Sequence, residues 1–212
     1  MATAIARDAA SLIIYRKTTS SCEVLMGKRR KQATFAPGVY VFPGGGLDAA
    51  DTIPHAPAVL NIADIGKTAR HNIHALANAA IRETWEETGL LLAEKGELDE
   101  TEHPSWEFFR TKGLIPSSQH LHYLGRAITP ARSPIRFHAR FFIADYQHFA
   151  GSLIDEGELL DLRWVELEET LSLPMVDVTE FMLEELQRFF ITAPTRTPVL
   201  TYRQNRTLIR YE

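Results

Sequence analysis

The chain has 212 residues, enough for one domain with additions and well above the size at which a hydrophobic core becomes marginal. Its composition, 45% hydrophobic and 24% charged with a net charge of −4, is ordinary for a globular protein and lacks the basic balance of a nucleic-acid-binding surface. One cysteine, Cys22, excludes an intrachain disulfide and a cysteine-rich zinc site and suits a reducing cytoplasm. No apolar run approaches the roughly 20 residues needed to cross a bilayer, and Met1 to Asp8 lacks a signal-peptide pattern, so no membrane role is expected.

Residues 9–16 and 22–29 read as paired strands joined by a turn at Thr18 to Ser21. Arg29, Arg30 and Lys31 follow as a basic cluster, either a solvated strand end or an anion contact beside a site. Residues 39–42 form a short strand running into Pro43 and the glycines Gly44, Gly45 and Gly46, whose backbone can approach a ligand closely. Residues 47–67 read as a loop insertion. Within it, Gly66-Lys67-Thr68 resembles the end of a phosphate-binding P-loop, but Asn61 stands where that motif needs glycine, so the run is taken as a helix entry.

From about 68 to 88 the pattern is helical, with Ile73, Ala77, Ala80, Ile81, Thr84 and Thr88 on one core-facing stripe. Glu83, Glu86 and Glu87 share a face at spacings i, i+3 and i+4, beside that stripe rather than opposite it. Three clustered like charges disfavour a helix unless a positive group sits among them, and a hard divalent cation with oxygen ligands would serve. Gly89 ends the helix.

Leu90 to Leu92 continues as a strand or buried turn, and residues 106–113 suggest a short helix. Residues 121–128 and 135–144 read as strands; in the second, Arg136, His138 and Arg140 face away from Phe137, Ala139 and Phe141. The acidic Asp155-Glu156-Gly157-Glu158 run precedes a strand at 162–165. Pro174 opens a helix to about Phe190, and residues 198–211 form a hairpin turning at Gln204-Asn205. Neither His71/His74 nor His120/His122 has further ligands for a zinc site.

The glycine run, followed by Arg82-Glu83-x-x-Glu86-Glu87-x-Gly89-Leu90 on a helix, resembles the Nudix box of the Nudix hydrolase superfamily. The glycine half departs from the box. Between Gly45 and Arg82 stand 36 residues, far more than in an uninterrupted box, and His74 occupies the position of its first glutamate. Asp48, Asp51 and Asp64 are candidates to orient Arg82 instead. This interruption, with Phe42-Pro43-Gly44-Gly45-Gly46, Ile128-Thr129-Pro130 and Arg136-Phe137-x-x-Arg140, resembles the subgroup of peroxisomal coenzyme A diphosphatases and their bacterial relatives. Leu25, Arg29 and Gly38 fit that subgroup's coenzyme A motif, whereas Thr34 replaces an arginine.

The resemblance implies one α/β (α+β) domain over 1–212, an α/β/α sandwich around a mixed sheet, with the C-terminal helix and hairpin at about 174–211. It implies metal-dependent hydrolysis of a nucleoside diphosphate linked to another group. A coenzyme A or acyl-CoA type is favoured, with ADP-ribose, NADH and dinucleoside polyphosphates as further options. Mg²⁺ or Mn²⁺ would be bound by Glu83, Glu86, Glu87 and a carbonyl of Gly46 or Gly45, with Arg82 in support. One of these glutamates, or a glutamate outside the helix with Glu158 favoured, is the implied general base, and Arg29, Arg136 and Arg140 are expected to bind substrate phosphates. Homodimers occur among relatives. The alternatives are a Nudix-fold module that binds or senses a nucleotide without cutting it and, with less support from the charge, an RNA-decapping enzyme.

Overall fold

The computed structural model describes residues 4–19, 21–52, 72–155, 157–192, 195–204 and 206–212. Most of the expected insertion, with Asp64, the Gly66-Lys67-Thr68 run and His71, lies outside the described residues, as do Glu156 and Asn205.

Strands β1 (Arg7–Lys17) and β2 (Cys22–Arg29) form the expected antiparallel pair. Strand β3 (Tyr40–Val41) adds to β2. The glycine run is itself a strand, β4 (Gly44–Gly46), paired antiparallel with β1 so that Gly45 stands opposite Ala10. Helix α1 (Ile73–Thr88) follows, then β5 (Leu90–Leu91), β6 (Ala93–Lys95), α2 (Pro104–Thr111), β7 (Leu114–Pro116), β8 (His122–Ile128) and β9 (Phe137–Asp145). The chain continues through β10 (Ala150–Gly151), β11 (Leu159–Glu166), α3 (Asp177–Ile191), β12 (Pro198–Arg203) and β13 (Arg206–Tyr211).

Among the described residues the main sheet has nine strands, in the order β11-β2-β1-β9-β8-β12-β13, with β3 on β2 and β4 on β1. The β1–β9 and β8–β12 pairs are parallel and the others antiparallel, so the sheet is mixed and the class is α+β.

Alternation along β1 divides the interior into two cores. Leu12 and Ile14 pack with Leu76, Ile81, Trp106 and Phe109 under α1 and α2. Ile13 faces the other way, into Met26, Ile143, Met182 and Leu186 under α3. Each fully buried Leu, Ile or Met contributes about 1.5–3 kcal/mol, so both faces of the sheet are tightly held. The two helix layers enclosing the sheet give the expected sandwich. Helix α1 ends at Gly89, whose φ of 78° and N–H bond to the Trp85 carbonyl (2.8 Å) make a left-handed cap.

Two helix starts differ from the sequence reading. Helix α2 begins at Pro104, where proline suits the first turn and the His103 ring accepts from the Ser105 N–H. Helix α3 begins at Asp177 rather than Pro174, because the Pro174 carbonyl accepts from the Tyr40 N–H (2.9 Å) and the chain stays extended through Val176. None of the described helices is long and apolar enough to cross a membrane.

Candidate active site

Arg82 is the anchor of the site. It is 4% exposed, and its guanidinium grips a single carboxylate with both edges: Nε donates to Asp51 Oδ1 (2.8 Å) and Nη2 to Asp51 Oδ2 (3.0 Å). Asp51 has no exposed surface. It closes a one-turn 3₁₀ helix (Ala49–Asp51) in a capping box with Asp48, whose N–H donates to Asp51 Oδ2 (2.8 Å). Trp106 Nε1 donates to Asp51 Oδ1 (3.2 Å), and Asn78 Nδ2 to the Asp51 carbonyl (2.9 Å). Of the three aspartates that sequence offers, Asp51 therefore orients Arg82. His74, at the position of the first box glutamate, lies on the same helix but takes no such part.

The rest of the guanidinium ties the helix to the glycine strand. Nη2 donates to the Gly46 carbonyl (3.0 Å), and Nη1 to Glu83 Oε1 (2.8 Å) and Glu86 Oε2 (3.2 Å). Burial opposes the Arg82 charge, but Asp51 and Glu83 outweigh it and hold the group above its ordinary value.

The three glutamates of the helix have different partners: Glu83 and Glu86 share Arg82 Nη1, and Glu87 does not. Glu87 is 4% exposed, and its Oε2 accepts the Gly44 N–H (2.8 Å). Burial pushes its carboxyl up to about 8 despite that bond, and Glu83 and Glu158 add to the rise. Burial likewise raises Glu83, with Arg82 opposing and Glu86 and Asp51 contributing further. Gly45 leaves room for it: a Cβ there would lie 2.4 Å from the Glu83 carboxyl carbon and would push the carboxylate from its present position. Glu86 turns elsewhere: its Oε1 accepts from Ser105 Oγ, its Oε2 from Arg82.

Glu83, Glu87 and the three glycines line a cavity of about 550 Å³ on the α3 side of the sheet, and Arg29 and Glu158 lie on it too. Its other walls are largely apolar, among them Phe35, Phe42, Phe137, Phe141 and Val178. Glu158 is well exposed and stands 3.7 Å from Arg29.

Arg136 and Arg140 do not join this group. Arg136 donates to the carbonyls of Ala4 (2.6 Å) and Thr129 (3.3 Å). Arg140 is 2% exposed, ion-paired with Asp8 and bonded to the His138 carbonyl (2.7 Å). The alternation read from sequence is present, but Phe137, Ala139 and Phe141, rather than the arginines, face the cavity. Phe137 is consequently a wall residue rather than core.

Ser105 and the Trp106 indole N–H escape a reading of the sequence because neither lies in the helix pattern or the glycine run. The only cue, Pro104 as a helix start, says nothing about a contact 55 positions away.

Among the described residues, no group of three or more His, Cys, Asp or Glu side chains is gathered closely enough to hold a metal ion. The chemistry of the donors nonetheless fits a hard divalent cation. Part-buried Glu83 and buried Glu87, whose charges are disfavoured by burial, stand by a glycine backbone, and oxygen is the ligand type such ions take.

No family model matches the chain. In sequence it is 29% identical over 175 residues to a protein of Caenorhabditis elegans named putative nudix hydrolase 7, covering 77% of this chain and 52% of the worm protein. The chain thus spans about half the length of that curated relative. In fold it is similar to the crystal structure of a NUDIX hydrolase from Alicyclobacillus acidocaldarius, with a TM-score of 0.68 and 27% identity over 86% of this chain and 91% of the other. The MutT protein of Bacillus halodurans shares the fold at a TM-score of 0.55 and 14% identity, covering 97% of each chain. In sequence and in fold the chain is thus similar to proteins named as Nudix hydrolases.

Proposed function

We propose that the chain hydrolyses a nucleoside diphosphate linked to another moiety, cutting the pyrophosphate with water in a reaction that depends on Mg²⁺ or Mn²⁺. The observation that carries this reading is the pair of part-buried Glu83 and buried Glu87 beside Gly44–Gly46, on a cavity large enough for a nucleotide. A carboxyl held up to about 8 by burial is poorly placed to stay charged alone and well placed to meet a cation. When bound, the ion would neutralise the diphosphate oxygens and lower the pKa of the attacking water.

The chain's own groups account for the remaining roles. Glu83 and Glu87 are the metal ligands the cavity offers, and Arg82 fixes Glu83 relative to the glycine strand. The sequence reading has Gly46 offering its carbonyl to the metal; that oxygen accepts from Arg82. Glu158, exposed at the cavity edge, would take the proton from water, a role worth roughly 10²–10⁴-fold in rate. Arg29 lies on the same edge to receive phosphate oxygens. Glu86 keeps its expected part in metal binding only if the substrate-loaded site draws it from Ser105. Coenzyme A or acyl-CoA remains the favoured substrate type on the motif resemblance, in a monomer or homodimer of the reducing cytoplasm.

A panel of coenzyme A, acyl-CoA, NADH, ADP-ribose and dinucleoside polyphosphates, incubated with Mg²⁺ or Mn²⁺ and analysed for phosphate-bearing products, tests the proposal. Turnover of at least one compound, abolished by chelation, is expected; silence across the panel would remove it. The engagement of Glu86 by Ser105 and Arg82 favours one second reading, a module that binds nucleotide without cutting it. Ligand-dependent thermal stabilisation without product would select that reading.

A further inference from the structure

The two edges of the main sheet are built differently. At one edge, β11 slips register against β2 between Leu160 and Arg163, and Asp161 there has a φ of 46°. A bulge of that kind turns an edge away from any further strand. At the other edge, β13 keeps unbroken register with β12, and among the described residues it has a strand on one side only.

Thr197 and Glu212 exchange N–H to carbonyl bonds in both directions (2.9 Å each), which fixes the phase of the ladder. Antiparallel ladders alternate, so Arg206, Leu208 and Arg210 bond inward to β12. Thr207, Ile209 and Tyr211 therefore turn their N–H and C=O groups outward. The Tyr211 carbonyl accepts from Arg196 Nη2, and a carbonyl has a second lone pair to offer. Ile209, at the middle of the outward row, is 46% exposed.

A second copy of β13 laid antiparallel on this edge pairs outward residues with outward residues. With Ile209 opposite Ile209 of the second copy, Thr207 faces Tyr211, Leu208 faces Arg210, and Arg206 faces Glu212. Sliding by two residues keeps the hydrogen-bond pattern but sets arginine on arginine. One direction puts Arg206 on Arg210; the other puts Arg210 on Arg210. Like charges directly opposite destabilise a strand pair, whereas opposite charges stabilise it. Charge therefore favours the register centred on Ile209 over its two neighbours. Glu212 is held in position for it by Arg126, whose Nη2 donates to Oε1 (2.7 Å), and a carboxylate accepts from more than one donor.

We propose that β13 is a self-pairing edge, through which two copies of the chain join their sheets about a two-fold axis at Ile209. One strand from each copy makes a contact at the low end of interface sizes, so the dimer is reversible, with Kd of about 1–100 μM. The pairing does not depend on the hydrolysis proposed above.

Sedimentation equilibrium of the full chain, loaded from about 1 to 500 μM, should show monomer and dimer in exchange. Ile209→Lys brings two ammonium groups together at the axis, and Arg206→Glu brings carboxylates together at both ends. Both side chains are exposed, so each variant should melt like wild type when dilute, yet dimerise about tenfold or more weakly. Ile209→Cys should cross-link two copies under mild oxidation, because Cα atoms of a hydrogen-bonded antiparallel pair lie about 5.5 Å apart, within disulfide reach. Thr207→Cys, which faces Tyr211, should not, and wild type with Cys22 alone is the control. A monomer at every loading overturns the proposal. So does a dimer that either charge substitution leaves intact, or cross-linking through Thr207→Cys in place of Ile209→Cys.

Discussion

Arg82 and Asp51, 31 residues apart, form a two-pronged ion pair with almost no exposed surface, joining the carboxylate helix to the turn that follows the glycine strand. A buried pair is not in itself stabilising, but removing one partner strands the other charge, typically at a cost of 3–5 kcal/mol. Asp51→Ala should therefore lower the unfolding free energy by about 3–5 kcal/mol in denaturant melts. Asp51→Glu, which keeps the charge, should recover part of that loss. A drop under about 1 kcal/mol for the alanine variant would show that Arg82 finds its counter-charge elsewhere.

Ser105 donates to Glu86 from a helix outside the box, and its hydroxyl is buried. A hydrogen bond to a charged group is worth about 1.5–3 kcal/mol, so Ser105→Ala should destabilise by that order. Ser105→Thr, which retains the hydroxyl, should stay near wild type. Because Glu86 reaches a metal only by leaving Ser105, kcat should not fall in the alanine variant; a fall that threonine restores would show that the tether positions Glu86. Thermal melts and initial rates on the three proteins check both parts.

Glu87 sets function against stability. Burial disfavours its charge when no cation is present, so Glu87→Gln should fold as stably as wild type in chelator, or more so. The same change should cut turnover by about 10²-fold or more, and erase the rise in Tm on adding Mg²⁺ or Mn²⁺. Scanning calorimetry with and without metal separates these effects. An undiminished metal shift in the variant would take Glu87 out of the site.

His138 is expected to make the fold sensitive to mild acid. Burial first, then Arg140 and Arg126, lowers its pKa to about 4, so the folded state holds a neutral ring where the unfolded chain binds a proton. Its contribution is complete above about 6.5 and is lost as pH falls from there toward 4. One pKa unit is worth about 1.4 kcal/mol, and partial solvent access to the ring holds the loss near that figure. His138→Gln should flatten the stability curve across this window relative to wild type. Parallel curves would assign the acid loss to other groups.

The sheet is legible in the sequence through the pattern of its apolar residues: the run Leu12, Ile13, Ile14 leaves no polar face, so both sides of β1 must be covered. Helix α1 is legible for the same reason, and its charges announce themselves by spacing. The partners of those charges are less accessible. Asp51 is one of three possible partners for Arg82, since sequence shows which carboxylates lie near in the chain but not which one a 3₁₀ turn swings inward. Arg140 misleads because alternation separates two faces without saying which one borders the cavity; Asp8 on the neighbouring parallel strand decides that. The three glycines resemble a turn by composition, yet serve as a strand whose missing side chains admit Glu83.

Trp106 bonds to Asp51, and Trp85 stacks on Phe108 at 4.4 Å from within the carboxylate run. Two of the protein's three tryptophans thus flank the groups that set the charge balance of the site. The chain carries its own optical gauge: indole emission should shift if Asp51 loosens its hold or if the proposed cation draws on the carboxylates of the helix. Loading of the site can be followed by fluorescence without labelling the protein or altering the substrate.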